Sequence, residues 1–220
     1  MAADLIFYTN PMSRGRIARW MLEEVGAPYD TVLLDYATTM KDDAYRAINP
    51  MMKVPAIVHH GHVVTEGAAI CAYLAEAFPE AGLAPTADER ADYHRWMFFA
   101  AGPVESAVVD KAMGVTPSDQ QRRMAGYGHF DLAMQVLEQA VGRHDHIAGD
   151  RFTAADVYVG SAIHFYGQFG MLPKSARFDA YLARLYARPA FQRAVAIDDA
   201  LLAPRPDAPL EAIAPAPPAA

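Results

Sequence analysis

The chain has 220 residues and a formal charge of −7, with 19 Lys and Arg against 26 Asp and Glu. Without a cationic face it cannot release counterions from a phosphate backbone, so we expect neither nucleic acid nor an anionic membrane as a partner. No apolar run approaches the ~18 residues that span a bilayer, and the N-terminus has no signal-peptide pattern. Because Cys71 is its single cysteine, the chain can form neither an internal disulfide nor a zinc site with several cysteine ligands. We therefore expect a soluble, cytoplasmic protein without a bound metal.

The first eighty residues predict a small mixed sheet with helices on both faces. The predicted elements, in chain order, are a strand at 4–8, a helix capped by Gly26, a strand at 31–35, a short helix at 41–48, a strand at 54–58, a turn at 59–61, a return strand from 63, and a helix that ends before Pro79. Their order is βαβαββα.

From Asp88 onward the patterns are helical only. The predicted helices cover 88–113, a stretch that starts near Thr116, a stretch that starts at 152–157, and the stretches 178–188 and 190–202. Thr116 is predicted to cap the second of these, while Thr153 and Asp156 have the spacing of a capping box. The predicted organisation is a mixed α/β domain at 1–80, a linker at 81–87, an all-helical domain at 88–203 and a Pro/Ala-rich tail at 204–220.

Three sequence features can meet at one edge of this sheet. A serine lies near the start of the first helix, a lysine and a proline flank the start of the third strand, and a carboxylate opens the next helix. The residues are Ser13, Lys53-Val54-Pro55 and Glu66-Gly67. The start of a helix has unpaired backbone donors and a positive field, which suits a carboxylate or a thiolate.

The segments VPAI at 54–57, EGAAICAYL at 66–74 and FTAADV at 152–157 resemble, in this order, those of cytosolic glutathione transferases. The resemblance covers residues 4–202. It implies a thioredoxin-like N-terminal domain, an all-helical second domain and a homodimer. It also implies that glutathione, as cosubstrate, is conjugated to a small hydrophobic electrophile.

The resemblance also implies roles for individual residues in glutathione binding. Pro55 would be cis, so that Val54 offers its backbone to the cysteinyl residue as an added strand. Glu66 would bind the γ-glutamyl ammonium and Gly67 the γ-glutamyl carboxylate. Lys53, with Lys41 as a further candidate, would face the glycyl carboxylate. The family commonly has Ser where this chain has Gly67, so we expect looser glutathione binding.

Ser13 and Tyr8 are the two main candidates for the residue that activates the thiol, and Thr9 and Asn10 are lesser ones. From its spacing alone Ser13 could equally be an ordinary helix cap. A hydroxyl donating to sulfur contributes about 1.5–3 kcal/mol, or about one to two pKa units, which brings the thiol near neutrality. The absence of cysteine here argues against a mixed disulfide with glutathione. The apolar stretch at 94–103, with Met113 and Tyr166, is predicted to be mostly core and partly the wall of the electrophile pocket.

The sequence is also compatible with two other hypotheses for the function. One is a non-catalytic glutathione-binding or regulatory protein on the same fold, since fold does not settle function. The other is a glutathione-dependent reductase, peroxidase or isomerase.

Overall fold

The computed structural model describes residues 4–202. The first part of the chain contains a four-stranded sheet in the order β2-β1-β3-β4, in which β1 is parallel to β2 and antiparallel to β3. Its elements are β1 (Leu5–Thr9), α1 (Gly15–Val25), β2 (Asp30–Leu33), α2 (Asp43–Ile48), β3 (Ala56–His59), β4 (His62–Thr65) and α3 (Gly67–Ala77). The predicted thioredoxin-like order is confirmed.

The remainder is helical, as predicted. Its elements are α4 (Arg90–Phe99), a π-helical segment (Ala100–Val104), α5 (Glu105–Ala112), α6 (Asp119–Met124), α7 (Phe130–Val141), α8 (Ala154–Gln168), α9 (Ala176–Tyr186) and α10 (Pro189–Leu202). The domain limits at 80 and 88 stay a prediction, and the predicted tail from 204 lies outside the described residues. No helix within residues 4–202 is long and apolar enough to cross a membrane.

The alternation of side chains along β1 separates two apolar clusters. Leu5 and Phe7 belong to the large core, which includes residues of α1, α3 and the helical half. Tyr8 points to the other face, where its ring lies 5.6 Å from that of Tyr45 on α2. The sheet is therefore covered by helices on both faces, and the start of α1 follows directly from its central strand β1.

Helix α8 lies at the centre of the molecule, in contact with α1, α3, α4 and α9. Its predicted capping box is present, between Thr153 and Asp156. The buried Asp156 carboxylate also accepts hydrogen bonds from the Ile147 amide at 2.7 Å and the Tyr181 hydroxyl at 2.8 Å. These contacts fix the start of α8 and hence the direction in which its side chains point.

Two helix predictions for the second half are wrong in detail. The single helix at 88–113 is divided, because the chain adopts a π-helical turn over Ala100–Val104, which contains Pro103. The second helix is capped by Ser118 rather than Thr116, since Gln121 completes a capping box with Ser118. This helix is short, and α7 begins separately after a left-handed glycine at 128.

Candidate functional site

A cleft of about 500 Å³ lies between the sheet edge and the helical half of the chain. Its walls come from the start of α1, the loop before β3, the start of α3 and the inner faces of the helices. The lining residues are Met12, Ser13, Arg14, Ile17, Tyr36, Asn49, Met51, Lys53, Val54, Pro55, Glu66, Gly67, Ala68, Ala101, Glu105, Tyr158 and Phe165. The three features singled out in the sequence therefore share one cavity.

The loop before β3 presents an unpaired stretch of backbone to this cleft. The Val54-Pro55 peptide bond is cis, as the resemblance implied. The preceding carbonyl, that of Lys53, accepts hydrogen bonds from the Tyr45 hydroxyl at 2.5 Å and from Asn49 Nδ2 at 2.8 Å. Within residues 4–202 the N–H and C=O of Val54 have no hydrogen-bond partner. A fixed segment with a free donor and acceptor can pair with an extended peptide.

Ser13 lines the cleft just before α1 and is only 7% exposed. Its hydroxyl donates to the Asn10 carbonyl at 2.6 Å and accepts from the Gly15 amide at 2.9 Å. A Cβ at position 15 would lie 2.0 Å from Thr9 Oγ1, so this turn requires glycine. Ser13 thus supports the start of the helix, and its proton must leave Asn10 before it can reach a thiolate.

The other candidate residues differ in their relation to the cleft. Tyr8 packs against Tyr45 and does not line it. Lys41 is an exposed residue at the end of a 3₁₀ turn and also lies outside the wall, whereas Lys53 is part of the wall. His59, one of a histidine trio in the β3–β4 hairpin, hydrogen-bonds to a tyrosine hydroxyl. Among the described residues no group of three His, Cys, Asp or Glu could hold a metal ion.

The start of α3 is open towards the cleft. Glu66 precedes it with φ of 65°, a left-handed conformation that is uncommon for a residue with a side chain. No side chain of the described part of the chain caps this helix. The first amides of α3, beginning with Gly67, can therefore donate to an anion.

The cleft wall contains an ion pair that the sequence patterns do not predict. Arg14, at the start of α1, pairs with Glu105 at the start of α5. The Arg14 guanidinium lies 5.7 Å from the ring centroids of both Phe165 and Tyr166. The only sequence signal was the position of Arg14 beside Ser13, because Glu105 is 91 residues away.

Tyr158 is a second residue that sequence reasoning missed. It belongs to α8, is 9% exposed, and lies with its ring over Gly67. A Cβ at position 67 would be 3.2 Å from Tyr158 Cε2. Burial is the main cause that raises the pKa of the Tyr158 hydroxyl, and Glu105 adds to it, so this group keeps its proton.

The apolar stretch at 94–103 contributes little to the cleft. Trp96 and Met97 are core residues, Phe98 is 70% exposed, and only Ala101 lines the cavity. Met113 is 66% exposed and does not reach it. Apolar parts of the wall come instead from Ile17 of α1 and from Phe165 near the end of α8.

The family model described as the N-terminal domain of glutathione S-transferase matches residues 12–77. Glutathione S-transferase GST-4.5 of Xanthomonas campestris is 28% identical over 189 residues, which cover 82% of this chain and 92% of that protein. The first part of the chain is thus similar to the N-terminal domain of glutathione S-transferases, and the curated relative extends this similarity over most of the chain.

Solved structures of glutathione transferases extend the similarity over both halves of the chain. A glutathione transferase from Methylococcus capsulatus has a TM-score of 0.73 and 25% identity, and the match covers 89% of this chain and 99% of the other. A theta class glutathione S-transferase from Xanthomonas axonopodis pv. citri, solved with glutathione bound, has a TM-score of 0.68 and 27% identity, covering 88% and 97%.

Proposed function

We propose that this protein is a member of the glutathione S-transferase family and conjugates the thiolate of glutathione to small hydrophobic electrophiles. The observation that carries the proposal is the unpaired backbone of Val54, which shares one cleft with the open start of α3 and with the Ser13 hydroxyl. A relative of similar structure contains bound glutathione, which supports this ligand.

In this proposal glutathione binds as an extended peptide along the loop before β3. Its cysteinyl N–H and C=O pair with Val54, as in an added strand. The Glu66 carboxylate receives the γ-glutamyl ammonium, and the Gly67 amide donates to the γ-glutamyl carboxylate. Lys53 faces the glycyl carboxylate, and Lys41 keeps only a secondary role because it lies outside the wall.

The sulfur then lies near the start of α1, where Ser13 donates to it. A free thiol has a pKa of about 8.5, so a hydrogen bond to the thiolate and the positive end of the helix both increase the reactive fraction. The thiolate forms a carbon–sulfur bond with the electrophile, whose leaving group departs with the electron pair. Ile17 and Phe165 form the apolar surface against which the electrophile lies.

The assembly and location belong to the same proposal. By resemblance the protein is a cytoplasmic homodimer. Sedimentation velocity over a range of concentrations tests the dimer, and a single species with the mass of one chain would contradict it.

The test combines binding and turnover. Calorimetric titration with glutathione should show one site per chain, and 1-chloro-2,4-dinitrobenzene should release chloride as the conjugate forms. Lys53→Ala should weaken glutathione binding several-fold by removing a charge-assisted contact. Lys174→Ala removes an exposed lysine outside the cleft and is the matched control. Failure of the wild-type protein to bind glutathione would refute the proposal.

One observation favours a second candidate, a glutathione-binding protein without transferase activity. The Ser13 proton is directed to the Asn10 carbonyl at 2.6 Å, which leaves it unavailable to sulfur in this arrangement. Such a protein would bind glutathione and show the Lys53→Ala effect, yet leave the thiol pKa of bound glutathione at its solution value. Thiolate absorbance of the bound ligand against pH distinguishes the two functions.

A further inference from the structure

The hydroxyl of Tyr158, in the cleft wall, is a donor without a hydrogen-bond partner among the described residues. The side chain is 9% exposed, and among the described residues its oxygen makes no hydrogen bond. A tyrosine with a largely buried ring normally pairs its hydroxyl, so an unpaired hydroxyl in a cavity wall is available to a ligand atom.

The position of the Tyr158 ring indicates which atom that is. Its Cε2 would lie 3.2 Å from a Cβ at Gly67, and the phenolic oxygen is attached to the neighbouring ring carbon. The ring edge therefore lies against the first turn of α3, with the oxygen more than 4 Å from that Cβ position, and no described side chain caps this turn. An anion at this helix start would meet backbone N–H donors and the hydroxyl together.

Two nearby charges do not remove this preference for an anion. Glu105 lines the same cavity, but it pairs with Arg14, so the two charges offset each other. Tyr158 itself remains a neutral donor because its burial disfavours the phenolate.

We propose that the Tyr158 hydroxyl donates a hydrogen bond to the γ-glutamyl carboxylate of glutathione, alongside the Gly67 amide. The inference rests on the proposed function and adds a binding residue from the helical half to a site otherwise built by the sheet half. It also explains why position 67 is a glycine, because a side chain there would press against the Tyr158 ring that carries the hydroxyl. The expectation of looser binding at Gly67 is then replaced by binding supported from α8.

The experiment measures the affinity of two peptides for the full-length chain by calorimetry. One is glutathione, and the other is 4-aminobutyryl-cysteinylglycine, which lacks only the γ-glutamyl carboxylate. Tyr158→Phe keeps the ring and removes the donor. We expect it to weaken glutathione binding about tenfold to a hundredfold, the range of a hydrogen bond to a charged group, and to change the affinity for the analogue by less than about twofold.

Two further variants test the relation to Gly67. Tyr93→Phe is the matched control and should leave both affinities unchanged, because Tyr93 is buried outside the cleft and its hydroxyl makes no hydrogen bond within residues 4–202. Gly67→Ser should weaken binding in the wild-type background and strengthen it in the Tyr158→Ala background, where space for the serine is free. If Tyr158→Ala does not fold, the comparison of Tyr158→Phe with Tyr93→Phe still decides.

The outcomes separate the two proposals. A wild-type protein that binds no glutathione overturns the proposed function and this inference with it. A wild type that binds glutathione, with Tyr158→Phe binding it equally well, overturns the inference alone. Equal losses for glutathione and for the analogue also overturn it, because they show that the hydroxyl does not act on the carboxylate.

Discussion

Ser13→Ala tests whether the Ser13 hydroxyl activates the thiol of bound glutathione, as the proposed function requires. In the structure the Ser13 hydroxyl donates to the Asn10 carbonyl at 2.6 Å, so it must exchange that bond for one to the thiolate. A hydrogen bond to a charged group contributes about 1.5–3 kcal/mol and a neutral one about 0.5–1.5 kcal/mol. The difference, about 1.2 kcal/mol at the centre of both ranges, corresponds to about 0.9 of a pKa unit.

The expected result is a pKa of bound glutathione about 0.9 unit higher in Ser13→Ala than in the wild type. At a pH below both values the thiolate fraction, and with it kcat/KM, should fall about eightfold. Ultraviolet absorbance of the thiolate, followed against pH at saturating glutathione, measures the shift. The pH profile of kcat/KM should move in the same direction.

The variant needs a stability control, because the Ser13 hydroxyl also accepts from the Gly15 amide at 2.9 Å. Loss of such a hydrogen bond costs about 1 kcal/mol, which denaturant unfolding will show separately from any change in thiol pKa. Tyr8→Phe is the comparison, since Tyr8 does not line the cleft. An unchanged thiol pKa in Ser13→Ala, together with a raised one in Tyr8→Phe, would transfer the role to Tyr8.

Three further predictions concern stability. Asp198→Ala leaves the guanidinium of Arg19, which is only 2% exposed, without its carboxylate partner. The free energy of unfolding in urea should fall by about 3–5 kcal/mol, and replacement of both Arg19 and Asp198 by apolar residues should recover most of this loss. The pKa of Glu89 is lowered, chiefly by its hydrogen bond with Arg151. The pair therefore stabilises the fold at a pH above the ordinary pKa of a glutamate, and this stabilisation is lost as the pH falls through the pKa of Glu89 in the folded state. Arg151→Ala should make the free energy of unfolding depend less on pH in this acidic range. Gly160→Ala places a Cβ 2.2 Å from a buried leucine on α9 and should cost about 1–3 kcal/mol in thermal unfolding.

The parts of the site that the sequence predicts are those whose signals are local. Val54-Pro55 and Glu66-Gly67 lie close together in the chain, and the strand, turn and helix between them can be read from apolar periodicity. Gly26 closes α1 in the left-handed conformation, as its position after the last apolar residue predicted. Local patterns therefore suffice for the sheet half and its loop.

The parts that the sequence does not predict come from contacts across long separations. Tyr158 lies in a helix that is buried almost all round, so periodicity marks it as core and gives no sign that its hydroxyl reaches a cavity. Glu105 follows a π-helical turn, and a normal α-helix through that segment would rotate it to another face. Only the packing of α8 against α1 and α3, and the ion pair of Glu105 with Arg14, show that both residues line the cleft.

If the proposed Tyr158 contact forms, the same packing makes glutathione affinity dependent on residues that do not touch the ligand. Tyr158 is held in place by α8, and α8 is fixed at its start by Asp156 and in its middle by the close approach of Gly160 to α9. A substitution that displaces this helix moves the Tyr158 hydroxyl relative to the start of α3, whereas the Val54 backbone stays where Tyr45 and Asn49 hold it. Gly160→Ala should therefore weaken the binding of glutathione more than that of the analogue without the γ-glutamyl carboxylate. Equal effects on both peptides would show that the two halves of the site move together.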